Sequence, residues 1–61
     1  MDKYLKLTTT DNSIVYINKS SIDGIEEVAA TARAEAFLKL YVEGYKFMVK
    51  ISLDDLFKLI D

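Results

Sequence analysis

From Ala36 onward, apolar residues recur at a spacing of two and then, after Ser52, at spacings of three and four. That switch predicts a β-hairpin that hands over to a helix. With Glu43-Gly44 as a two-residue turn, Val42 lies opposite Tyr45, Leu40 opposite Phe47, Leu38 opposite Val49 and Ala36 opposite Ile51, one continuous apolar face. Gly44 supplies a positive φ that such a turn requires. A slip of one residue would carry Lys39 and Lys46 into the core, so the apolar pattern itself defines the register. The opposite face of the same hairpin carries Phe37, Lys39, Tyr41, Lys46, Met48 and Lys50.

Ser52 begins the helix, because its hydroxyl can accept from the orphan backbone amides of the first turn. Asp54 and Asp55 stand at the positive end of the helix dipole and Lys58 at the negative end. Leu53, Leu56, Phe57 and Ile60 form a stripe at i, i+3, i+4 and i+7, predicted to cover the sheet. A helix this short persists only when docked.

Toward the start of the chain, Leu5 and Leu7 alternate with Lys6 and Thr8, and Asp11-Asn12-Ser13 follows as a turn. Ile14–Asn18 is apolar at both alternating sets of positions and rich in β-branched residues, which predicts a strand covered on both faces. The middle supports two readings. One is a turn or short strand at Ile22–Val28 with a loop over 29–35; the other is a helix capped by Ser20 or Ser21 and running through Ile22, Ile25, Ala29, Ala32 and Ala36. Gly24 lies inside that helical pattern and its stripe narrows to alanines, which bury little, so the first reading is favoured. The expected fold is mainly β (β-rich α+β): a small antiparallel sheet or SH3-like partial barrel of four to five strands with a short C-terminal helix, in one domain over residues 1–61.

Composition adds constraints rather than a job. Hydrophobic residues make up 51% of the 61, with 2 Gly and no Pro, which points to a packed fold. A domain of this size buries only about 60% of its unfolded surface. With no Cys and no His it lacks disulfides and the usual structural zinc ligands, which leaves self-association as reinforcement, so a homo-oligomer is expected. Apolar runs such as Ile14-Val15-Tyr16-Ile17 are far shorter than the roughly 20 residues of a membrane span. Met1-Asp2-Lys3-Tyr4 has no leader-like apolar stretch, so the expected compartment is the cytoplasm. A net charge of −2 gives no general attraction to nucleic acid or anionic membranes.

Candidate chemistry is sparse. There is no glycine-rich phosphate loop and no His or Cys to act as base or nucleophile. Glu26 and Glu27 fall on opposite faces of a strand, and Asp54-Asp55 is explained by the helix start. The tyrosines read as packing residues with polar tips. The expectation is therefore a non-enzymatic protein with no cofactor and no metal. Its candidate partner-binding residues are Phe37, Lys39, Tyr41, Lys46, Met48 and Lys50. That face suits a protein partner; it also fits a single-stranded nucleic-acid binder that stacks bases on rings beside lysines, or a solvated face where lysine stems lie over the rings. A small inhibitor of a host protein, encoded by a phage or mobile element, would look the same.

The chain also resembles the FlbD family of short bacterial proteins associated with flagella and swarming motility. The likeness runs through Leu7-Thr8, Asp11-Asn12, Val15-Tyr16-Ile17-Asn18, Ile22 and Ile25-Glu26. It resumes at Gly44, Lys46-Phe47-Met48-Val49-Lys50, Ser52 and Leu53-Asp54-Asp55-Leu56. Thr9 stands where the family usually has Arg, Ile51 where it commonly has Glu, and the middle loop is longer. The resemblance implies a non-enzymatic cytoplasmic protein that acts on motility by binding other proteins, and it implies no catalytic residue.

Overall fold

A computed structural model describes residues 3–60. Five strands, β1 (Tyr4–Thr8), β2 (Ile14–Asn18), β3 (Ile22–Val28), β4 (Phe37–Val42) and β5 (Tyr45–Val49), precede one helix, α1 (Leu53–Ile60). The strands form two antiparallel sheets, β1-β2 and β3-β4-β5. The expected β-rich fold with a short C-terminal helix is thus the one observed.

Among the described residues, backbone pairing ties the two sheets at one joint. Beyond the end of β1, Thr9 pairs with Val49 at the end of β5. On either side, Lys50 N–H donates to the Thr8 carbonyl at 2.8 Å and Thr10 N–H to the Met48 carbonyl at 3.0 Å. Across this joint the sheets share one core: Leu5, Leu7 and Ile17 from the first, Leu38, Leu40, Val42 and Val49 from the second, and Leu56 from α1.

The hairpin has the register its apolar spacing predicts, with Leu38 opposite Val49, Leu40 opposite Phe47 and Val42 opposite Tyr45. Glu43 and Gly44 carry φ values of 48° and 87°, the paired positive φ of a turn whose twist matches that of the strands it joins. Glu is a poor residue for that conformation, and its N–H is held by the Asp23 carboxylate at 2.9 Å. Tyr45 departs from the expected core placement. It keeps its register but is 71% exposed, because the hairpin tip projects past the core.

Three other expectations are corrected. β2 is not covered on both faces: Ile14 is exposed and Tyr16 is 64% exposed, while Ile17 is buried. Among the described residues, no layer packs on the outer face of the β1-β2 sheet, and Ile14 and Tyr16 there are exposed. In α1, Leu56 is fully buried and Leu53 and Ile60 are half-buried, but Phe57 is exposed. An eight-residue helix touches the sheet along a narrow line, and Phe57 lies about 100° around the axis from Leu56. Ala36 is exposed and lies outside the paired ladder, so the expected Ala36–Ile51 pair is not formed.

The middle of the chain is a strand and a loop. β3 pairs with β4, Ile25 lying opposite Leu40, so alternate residues commit their backbone groups to the ladder instead of to helical bonds. The only helical piece there is a single 3-10 turn, Lys19–Ser21. Asn18 caps it, instead of Ser20 or Ser21, by accepting Ser20 N–H at 3.0 Å. In the loop, the Thr31 hydroxyl accepts Ala34 N–H at 3.1 Å and Thr31 N–H donates back to the Ala34 carbonyl at 2.8 Å. Among the described residues, no helix is long and apolar enough to cross a membrane.

Candidate functional site

Strand alternation and register together assemble the outer face of the three-stranded sheet. Gly24 lies beside Tyr41 and Tyr41 beside Lys46; Glu26 lies beside Lys39 and Lys39 beside Met48; Val28 lies beside Phe37. The six residues expected from the sequence are therefore brought onto one side of the hairpin and its extension, but they are not equally available. Met48 is 42% exposed, Tyr41 38% exposed, and Lys46 and Lys50 are exposed. Phe37 and Lys39 are half-buried, flanked by β3 on one side and β5 on the other.

Two of the polar tips are already engaged. Tyr41 Oη donates to Glu26 Oε1 at 2.8 Å. That hydrogen bond, with smaller contributions from desolvation and the Glu26 charge, pushes the phenol above its ordinary pKa. Lys50 Nζ donates to Asn12 Oδ1, which ties the ammonium to the β1-β2 turn. That turn is itself braced by Thr9, whose hydroxyl donates to the Asp11 carboxylate and accepts Ser13 N–H at 3.1 Å. The Thr9 hydroxyl is the main reason the Asp11 carboxyl lies below its ordinary pKa, with Ser13 adding to it. Neither Lys39 nor Lys46 makes a side-chain hydrogen bond to another described residue, and Lys46, which is exposed where Lys39 is half-buried, is the freest cation of the face.

At the loop end the face deepens. Phe37, Met48 and Lys50, together with Thr10, Ala34 and Ala36, frame a groove of about 360 Å³. Apolar side chains dominate its lining, a form suited to an apolar side chain presented by another molecule. A second depression of about 580 Å³ lies toward the start of α1, against Ile51 and Leu53, with Phe37 and Lys50 again at its edge. Among the described residues, no three His, Cys, Asp or Glu side chains are grouped to hold a metal ion.

One feature escaped sequence reasoning. Tyr4, Tyr16, Tyr45 and Phe47 line a cleft of about 320 Å³ where the hairpin tip comes past the β1-β2 sheet. All four tyrosines of the chain are exposed, so, apart from Tyr41, whose ring lies across Gly24 with its tip on Glu26, they are not the packing residues their pattern suggested. The signal was present: once Leu5 and Leu7 point inward, Tyr4 and, through its partner Lys6, Tyr16 must point outward. No family model, no curated protein and no solved structure matches this chain.

Proposed function

We propose that this chain is a non-enzymatic protein-interaction module that self-associates and docks a protein partner on the outer face of the β4-β5 hairpin. The observation that carries the reading is the exposure of Tyr41 and, diagonally across the hairpin, of Met48, with the free Lys46 between them, continued by the apolar groove at Phe37. An aromatic ring and a methionine beside an unpaired cation form the kind of surface that binds proteins: adaptable apolar area with a polar rim.

Glu26 favours a protein over a nucleic acid as the partner. Its carboxylate accepts from Tyr41 at the edge of the same face, where a phosphate backbone would be repelled. The likeness to the FlbD family supplies the setting, a cytoplasmic regulator of motility that acts through protein contacts.

The test is quantitative affinity capture with the wild-type chain and with a Tyr41→Ala, Met48→Ala double variant. Both positions are exposed, so the variant is expected to fold and to lose at least one partner the wild type retains. Retention of every bound protein by the double variant removes this face from the reading.

A further inference from the structure

On the sides away from the joint at Thr9, the two sheets end in the edges of β2 and β3, which are built differently. In β2, the bonds from Thr9 N–H to the Ser13 carbonyl, 2.7 Å, and from Lys19 N–H to the Lys3 carbonyl, 2.8 Å, mark the odd-numbered residues as those that bond to β1. Ile14, Tyr16 and Asn18 therefore turn their backbone groups away from β1. Their N–H groups, with the carbonyls of Ile14 and Tyr16, have no partner among the described residues. The strand carries no charge, no proline and no bulge.

The β3 edge is guarded. It carries Asp23, Glu26 and Glu27, and its register shifts between Ile22 and Gly24. A second copy pairing there about Ile25 would set Asp23 against Glu27, like charge against like charge. The same operation on β2 meets no such obstacle. Centred on Tyr16, it sets Ile14 opposite Asn18 and Val15 opposite Ile17, and brings the outward-facing backbone groups of both strands into register.

The geometry points to the β2 edge as the seat of a second copy of this chain, joined antiparallel about a two-fold axis through Tyr16. Tyr16 exchanges both backbone bonds with its own copy, and Asn18 N–H donates to the Ile14 carbonyl across the junction. The two β1-β2 sheets become one sheet of four strands, with a Tyr16 ring from each copy beside the axis on the outer face. The half-buried Val15 gains an apolar neighbour on the inner face. The occupant follows from the strand itself: an uncharged edge that pairs about Tyr16 with no like charges opposed is complementary to its own copy. This inference rests on the self-association in the proposed function and assigns it a surface separate from the partner face.

The experiment uses the natural absence of cysteine. In a backbone-bonded antiparallel pair, opposed Cα atoms lie about 5.5 Å apart, within reach of a disulfide. Under mild oxidation Tyr16→Cys is expected to cross-link at least about tenfold faster than Lys6→Cys, which sits on the same outer face one strand inward. By light scattering the wild type is expected to run at twice the chain mass, and Tyr16→Lys, with unchanged circular dichroism, at the monomer mass. If Tyr16→Lys unfolds, the wild-type mass and the cross-linking rates decide. A wild-type dimer whose two cysteine variants react equally fast overturns the β2 junction and leaves self-association standing. A wild-type monomer at about 1 mM overturns both.

Discussion

The ring of Tyr41 lies across Gly24, its Cδ2 atom 3.6 Å from the position a Cβ there would occupy. A glycine inside a strand offers neighbours nothing to pack on, and the ring lies over the open site its missing side chain leaves. Since 3.6 Å is ordinary van der Waals separation, a methyl group fits beneath the ring. Gly24→Ala is therefore expected to stabilise the fold by about 0.5–1 kcal/mol, measured by urea unfolding. A loss of stability instead would mean that the ring cannot yield.

The bond from Tyr41 to Glu26 gives the outer face of the three-stranded sheet a pH dependence. The folded state raises the pKa of Tyr41, chiefly through that hydrogen bond, so the fold holds the neutral phenol. The contribution is fully present below the ordinary tyrosine value and is lost as pH rises through the raised one. In an NMR titration, the Tyr41 ring signal is expected to move at a lower pH in Glu26→Gln than in the wild type. An unchanged midpoint would remove Glu26 as the cause.

The hairpin tip is a place where stability can be gained. Glu43 has a φ of 48°, a conformation that costs residues with a Cβ about 1–2 kcal/mol and that Asn tolerates better. Glu43→Asn is expected to raise the unfolding midpoint. Gly44→Ala, at a φ of 87°, is expected to lose about 1–2 kcal/mol. Thermal unfolding of the two variants tests both directions.

Helix α1 is fastened by Leu56, which has no exposed surface, and not by Phe57. Leu56→Ala should cost about 2–5 kcal/mol, a large share of what a domain this small possesses. Phe57→Ala should stay within about 0.5 kcal/mol. Paired denaturation curves check the contrast, and equal losses would return Phe57 to the core.

The hairpin and helix were legible because local signals agree there: period-two spacing, a glycine at the turn and a serine before the acidic first turn all specify one register. Phe57 and Tyr45 were misplaced because spacing reveals which residues share a face, not how far the neighbouring layer extends. β2 was misread for a related reason. A run such as Ile14-Val15-Tyr16-Ile17 looks the same whether covered or left as an open edge, and only the topology shows that nothing lies beyond it. That Phe37, Lys39, Tyr41, Lys46, Met48 and Lys50 share one side of the hairpin was legible residue by residue, since alternation alone assigns it. The ties from Tyr41 to Glu26 and from Lys50 to Asn12 were not, as they join positions distant in the chain.

The core described above belongs to neither sheet alone, because Leu5, Leu7 and Ile17 close over Leu38, Leu40, Val42 and Val49 from across the joint at Thr9. A nick anywhere in the exposed loop 29–36 would leave two pieces, each with half an interior and one strand of the broken β3-β4 ladder. Neither half has a reason to fold by itself, and each is the template for the other. The chain is thus laid out as a complementation pair, and fragments expressed separately are expected to regain their shape only on meeting, a recovery that circular dichroism of the mixture checks.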